Sequence, residues 1–473
     1  MFDWKCQTMA ENNKEQNQDL KFIRMTTEAP EKLILKLAIP TIISMLITTI
    51  YNLADTFFVG QLNQTSATGA VSVAFSLMNI IQATGFFFGH GSGNYISREL
   101  GKKNIKDAKV MASVGFFSAF IAGTVISILV FIFIDEFVLF LGATPTIKPY
   151  AKEYIFYILL GSPFMCSSLV LNNELRFQGN AMFSMIGLTV GGVLNIILDP
   201  IFIFTLNMGV KGAAIATVTS QFISFSLLLI GIQKSDSLSI GFKNFKPSFK
   251  MYKNILIGGT PSLARQGLAA VSSICFNTVA GGYGDAAVAA IGIVNRIMHF
   301  ASSALIGFGQ GFQPVCGFNY GAKLYKRVEK SFYFCVKYAV IFLTFMSAIL
   351  FLLSPNLIKL FQENDPEVIR IGTATLKCQL VTFPLMSWVI MSNMMTQTIG
   401  KVYKATILAM SRQGLMFIPS ILILNYLFSL NGLIISQATA DFLSFALALP
   451  LQISELKSLK RLSNTLQTNS RSV

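Results

Sequence analysis

Residues 89–104 read GHGSGNYISRELGKKN, and residues 309–324 read GQGFQPVCGFNYGAKL. A shift of about 220 positions sets Gly89 and Gly91 on Gly309 and Gly311, and Gly101 with Lys103 on Gly321 with Lys323. Working outward, Pro40 in LAIPTI falls on Pro261 in GGTPSL. Gly179 then falls on Gly400, Pro200 on Pro419 and Gly212 on Gly432, the last followed by the near-copies QFISFSLLL and DFLSFALAL. The order of landmarks is the same in both halves, so the chain reads as one unit duplicated.

Composition fixes the solvent of that unit. The 473 residues are 53% hydrophobic and 12% charged, with mean hydropathy +0.59, where an ordinary soluble chain carries roughly a quarter charged residues. Apolar runs long enough to cross a bilayer, about 20 residues each, recur with centres near residues 46, 78, 122, 163, 194, 222, 267, 299, 343, 384, 416 and 442. Arg265, Gln266, Arg296 and His299 interrupt the seventh and eighth. The expected fold is therefore an all-α membrane protein of twelve transmembrane helices in two six-helix lobes. Because six is even, both copies enter from one side, and a pseudo-two-fold along the membrane normal relates them.

The net charge of +15 does not point to nucleic acid, because it lines alternate loops. With the N-terminus inside, the inside segments hold 28 of the 37 Lys and Arg residues, and the opposite side holds Lys148, Lys152, Lys211, Lys359 and Arg370. That asymmetry is the positive-inside pattern, and it predicts both termini in the cytoplasm. The expected organisation is a polar N-terminus over 1–32, an N-lobe over 33–233, a cytoplasmic linker over 234–253, a C-lobe over 254–452 and a cytoplasmic tail over 453–473. The linker, KSDSLSIGFKNFKPSFKMYK, reads as a solvated basic loop or as a contact for anionic headgroups. The polar start lacks the order of a cleavable signal peptide, so the first apolar segment is read as a retained helix. Six cysteines without a C-x-x-C pair argue against a disulfide framework or a zinc site.

The two copies differ in their carboxylates. Asp55, in ADTFF, meets Asn277 after a one-residue gap, and Asp199, in NIILDP, meets Ile418 before the matching proline. An ionised carboxylate at membrane depth is costly and faces a cavity, a partner or a proton. Asn195 lies one helical turn before Asp199, and Pro200 leaves a carbonyl of the preceding turn free. With a hydroxyl from Thr217, these form a hard-oxygen set suited to a cation or a proton. Glu174, in NNELRFQG, is expected at the inner end of helix four beside Arg176 as a solvated or structural charge. Asp441 stands where the first copy has Gln221; it either lines the second lobe's cavity or bonds a neighbouring helix. Arg265, Gln266, Asn277 and Arg296 are further candidates for the cavity lining. His90 and His299 are far apart in sequence, which gives little support to a histidine-based metal or catalytic centre.

AIPTIIS, NLADTFFVG, GHGSGNYISRELGKKN, LRFQGNAM, NIILDPIFIF, GVKGAAIATVTSQ and GFGQGFQPVCGFNYGAK, taken in order from about Leu33 to Leu451, resemble the multidrug and toxic compound extrusion (MATE) transporters. The resemblance implies two lobes around a V-shaped cavity and a secondary transporter, not an enzyme. Such a transporter exports cationic lipophilic compounds by alternating access in exchange for protons or sodium ions. It implies a first-lobe cation site of Asp55, Asn195, Asp199 and Thr217, with Tyr154 from helix four. Helix seven, PSLARQGLAAVSSICF, and helix ten lack the carboxylates of some branches, which points to the branch that relies on the first-lobe aspartates. The remaining expectations are no cofactor beyond the coupling ion, small organic cations and the lipid bilayer as partners, no nucleic acid, a monomer, and the bacterial inner membrane. The alternatives are a lipid-linked precursor flippase of the same exporter group or, from a different class, an ion channel.

Overall fold

A computed structural model describes residues 2–62, 65–362 and 365–469, and no strand occurs among them. A polar helix α1 (Phe2–Thr27) precedes the membrane helices, and the tail read from the sequence over 453–473 is described as far as residue 469. The first lobe contains α2 (Pro30–Gly60), α3 (Thr65–Gly101), α4 (Ile105–Ile132), the short α5 (Ile134–Phe140), α6 (Lys148–Phe177), α7 (Ala181–Pro200) and α8 (Gly209–Gln233). The second contains α9 (Phe249–Gly281), α10 (Asp285–Gly321), α11 (Tyr325–Phe361), the pair α12 (Pro366–Thr382) and α13 (Met386–Thr398), then α14 (Val402–Met410) and α15 (Phe417–Asn469).

Ten of these helical stretches are long and apolar enough to cross a membrane. The last of them, Val402–Thr468, folds back at Ser429 into two spans, and α9 supplies the remaining one, its apolar run broken by Arg265 and Gln266. Among the described residues the spans are thus twelve. Local capping fixes several starts: the Asn104 side-chain Oδ1 accepts from the Asp107 amide, the Ser248 hydroxyl from Met251, and the Asp365 carboxylate from Glu367 and Val368.

The duplication is also written into the turns. Lys103 and Lys323 both sit at φ 60°, Gly179 and Gly400 at 89° and 84°, and Gly209 and Ser429 at 55° and 51°. Left-handed backbone suits glycine, so Ser429 holds this conformation at a cost that its counterpart Gly209 avoids.

On the half of the molecule nearest the N-terminus the lobes are sealed. Arg98 and Phe318, which the repeat pairs, sit reciprocally against Gly321 and Gly101 where α3 and α10 cross. A Cβ on Gly91 would lie 2.6 Å from the Ile255 carbonyl, and one on Gly311 would lie 2.5 Å from the Ala38 Cα. The glycines of the opening motif are therefore close-approach residues at the seam between lobes. Thr41 donates to the Gly307 carbonyl at 2.6 Å, and the Thr49 and Ser303 hydroxyls meet at 2.8 Å. Beyond that point the lobes part, and Asn277, Asn295, Arg296 and His299 on α9 and α10 are exposed.

The first helix straps the sealed end. Lys103 of the first lobe reaches Asp19 at 2.9 Å, and Asn17 donates to Asp236 of the linker at 3.2 Å. On the second lobe, Asn319 donates to the Met25 carbonyl at 3.2 Å, and Lys330 pairs with Glu31, just past α1, at 2.8 Å.

Candidate functional site in the first lobe

The register of α7 puts Asn195 and Asp199 on one face, one turn apart, and both are buried. Asn195 Nδ2 donates to Asp199 Oδ1 at 3.2 Å and to the Thr217 hydroxyl of α8 at 3.3 Å. Tyr154, fully buried on α6, faces Thr217 and both Asp55 and Asp199. Asp55 comes from α2, and its charge is within electrostatic reach of Asp199. Tyr51, one turn before Asp55, reaches toward Gln221 of α8 and closes the cluster. After Pro200 the backbone widens into a π-helical turn, Ile201–Thr205. Proline cannot donate to the Ile196 carbonyl, and such widened turns recur at functional sites.

What the cluster lacks is a positively charged partner, and the buried Tyr154 hydroxyl is itself unpaired. Asp55 Oδ1, Asn195 Oδ1 and Asp199 Oδ2 are all buried without a hydrogen-bond partner, and no Lys or Arg among the described residues pairs with either carboxylate. A buried acceptor left unmatched costs about 1–3 kcal/mol, so three of them in one pocket favour a bound cation or protons. Five residues named from the sequence, Asp55, Tyr154, Asn195, Asp199 and Thr217, are brought together by four helices. The cluster lies on the side toward which the lobes part.

A MatE family model matches the chain twice, over residues 40–201 and again over 261–445. The chain belongs to the MatE family. Among similar MatE-type relatives, the multidrug export protein MepA of Staphylococcus haemolyticus (strain JCSC1435) is 30% identical over 419 residues, covering 88% of this chain and 92% of the relative. MepA of Staphylococcus aureus (strain NCTC 8325 / PS 47) is 30% identical over 413 residues, covering 87% and 91%. The solved outward-facing conformation of a multidrug resistance MATE family transporter superposes with a TM-score of 0.88 at 27% identity, covering 93% of this chain and 98% of that one. The two matched stretches begin at Pro40 and Pro261, the prolines that the internal repeat already paired.

Other side chains fall elsewhere in this MatE fold. Asp441 is fully buried, and its Oδ1 accepts from Arg412 Nε at 3.0 Å and from Gln437 Nε2 at 2.9 Å, so it bonds a neighbouring helix. Arg412, one of the 28 Lys and Arg residues assigned from the sequence to the inside segments, lies within the eleventh span, in the π-helical turn Ser411–Leu415. Arg265 and Gln266 are half-buried on α9, whereas Asn277 and Arg296 are exposed where the lobes part. Of the two readings of Glu174, a solvated or a structural charge, burial leaves the structural one. Ser92 of α3 and Gly115 of α4 cover it completely, and a Cβ on Gly115 would lie 2.9 Å from its Oε1.

Nor does Arg176 pair with Glu174, since residues two apart on a helix face different ways. Arg176 crosses the seam, donating to the Gln310 carbonyl at 3.1 Å and to Gln313 Oε1 at 2.9 Å, with His90 Nε2 at 3.5 Å. His90 Nδ1 meets the Ser262 hydroxyl of the other lobe at 3.1 Å. This polar lock was missed in the sequence, although the motif offered a signal. GHG and GQG place His90 and Gln310 at the same point of the two copies.

Proposed function

We propose that this chain is a secondary active multidrug exporter that expels cationic lipophilic compounds in exchange for protons or sodium ions bound by the first-lobe cluster. Membership of the MatE family and the MepA relatives support the multidrug-export part of the reading. The observation that carries the ion-coupling part is the set of three buried, unpartnered oxygens on Asp55, Asn195 and Asp199. With the seam sealed and the far side parted, the cluster is poised to take its ion from the outside, both termini then being cytoplasmic and the membrane a bacterial inner membrane. The protein acts as a monomer, with no cofactor beyond the coupling ion.

A proton or a sodium ion entering the cluster neutralises carboxylate charge and supplies the missing partner. The helices α2, α6, α7 and α8 then repack, and the attraction for a cationic compound weakens, which releases it outward. Two carboxylates can carry two protons, or one proton and one sodium ion. Exchange of two such charges for one monovalent compound moves one net charge inward, for which a potential of 100 mV supplies about 2.3 kcal/mol. The test is efflux of a lipophilic cationic dye from proteoliposomes under an inward pH gradient, an inward sodium gradient, or neither. Gradient-driven efflux by at least one ion is expected; equal efflux in all three conditions contradicts ion coupling.

A further inference from the structure

At the register of the first-lobe cluster the second lobe holds an ion pair on Asp441, whose Oδ1 is bonded and whose buried Oδ2 is not. With Gly212 set on Gly432, Gln437 stands at the register of Thr217 and Asp441 at that of Gln221, which borders the first-lobe cluster through Tyr51. With Pro200 set on Pro419, Gly414 takes the place of Asn195 and Ile418 that of Asp199. The fifth and eleventh spans each contain a π-helical turn near that proline, Ile201–Thr205 in one and Ser411–Leu415 in the other. So the eleventh span has lost both oxygen donors of the fifth, and the twelfth has gained a carboxylate. Leu268 of α9 packs against Gly414, while Arg412 of the same span reaches Asp441 Oδ1 at 3.0 Å, with Gln437 bonding the same oxygen at 2.9 Å.

The contrast between lobes is one of charge. In the first, two carboxylates share a buried site with no basic side chain; in the second, one buried carboxylate has an arginine attached. Other basic groups of the second-lobe spans do not share Asp441: Arg265 on α9 and Arg296 on α10 form no ion pair with it, and Lys377 on α12 lies over the Phe351 ring. We infer that the Arg412 guanidinium is a cation built into the second lobe, occupying the place of the exchangeable cation of the first, and that removing it turns Asp441 and Gln437 into a second site for a small monovalent cation. Arginine keeps its charge at any working pH, so this lobe stays neutralised through the cycle and coupling is confined to one side. The inference rests on the reading of the first-lobe cluster as a cation site.

Cation binding to the purified full-length protein tests it, read as protons taken up between pH 8 and pH 5 without sodium, and as 22Na+ retained at pH 8. Arg412→Ala is expected to bind one more cation than the unaltered protein by one of the two readouts, which also identifies the ion. Arg412→Lys and the double variant Arg412→Ala/Asp441→Asn are expected to bind no more than the unaltered protein. Since removing one partner of a buried pair destabilises a fold, the melting midpoint is followed in parallel. The midpoint of Arg412→Ala should rise with sodium chloride over choline chloride, or with falling pH, and that of the double variant should do neither. An Arg412→Ala protein that gains no cation and whose midpoint answers to neither sodium nor acid overturns the proposal, as does a gain that persists without Asp441. The reading of the first lobe fails separately, if Asp55→Asn/Asp199→Asn loses no cation.

Discussion

Asn195 donates its single side-chain NH2 group to both Asp199, one turn along the same helix, and Thr217, on the next, at 3.2 and 3.3 Å. The amide is thereby oriented so that its own oxygen and the second Asp199 oxygen point inward without donors. Asn195→Ala removes that orientation along with one oxygen. Its coupling ion should bind about tenfold more weakly, the scale of one polar contact of about 1–1.5 kcal/mol. The half-saturating proton or sodium concentration for dye efflux measures this, and an unchanged value places Asn195 outside the site.

At the seam, Gly311 sits so close to Ala38 that even a methyl group has no room. Gly311→Leu should hold the sealed end apart. Cys316, fully buried five residues on, serves as the native reporter, and its labelling by a membrane-permeant maleimide should speed up at least several-fold. Unchanged labelling indicates that the seam absorbs the side chain.

Arg176 holds the same seam by hydrogen bonds to Gln310 and Gln313 of the other lobe. Arg176→Met keeps the bulk of the stem and removes the donors, at a cost of about 1–3 kcal/mol where acceptors are left buried. The sealed state should lose population, seen as shorter spin-label distances across the outer cleft and longer ones across the seam. Identical distance distributions contradict a locking role.

Ser429 occupies a left-handed conformation where the first copy has Gly209. Ser429→Gly should stabilise the protein by about 1 kcal/mol, the scale of strain at such positions. A raised melting midpoint in detergent is the expected result, and a lowered one shows that the serine side chain has a partner worth more than the strain.

Lys21 on α1 lies outside the membrane spans, and burial against the linker pushes its amine down from 10.5 to about 8. Below pH 8 it is charged whether α1 is docked or free, so the burial penalty is fully present. From about 8 to 10.5 the docked amine sheds its proton while the free one keeps it, and docking strengthens as the pH rises. Lys21→Met should dock α1 more tightly at pH 7 and abolish that pH dependence. Spin-label distances between α1 and residue 239 at pH 7 and pH 10 report both effects.

Much of this was legible before the structure, for identifiable reasons. The repeat, the helix count and the shared face of Asn195 and Asp199 follow from period and spacing, since the i, i+4 rule fixes which side chains share a face, whereas the closeness of Thr217, on the next helix, came from the family resemblance. The rotation of one helix against another is not encoded in spacing. For that reason the complete burial of Glu174, the path of Arg176 across the seam and the pairing of Arg412 with Asp441 could not be read from the sequence. Helix α1 has no apolar stripe to announce it, and its position depends on polar contacts with Lys103, Asp236 and Asn319, all distant in sequence.

Efflux of a lipophilic cationic dye by Asp199→Asn proteoliposomes, under whichever ion gradient drives the unaltered protein, tests the central claim most directly. The account predicts that gradient-driven efflux is lost while the variant is made and inserted normally and still binds the dye. Efflux at the unaltered rate would place the coupling ion elsewhere and contradict it.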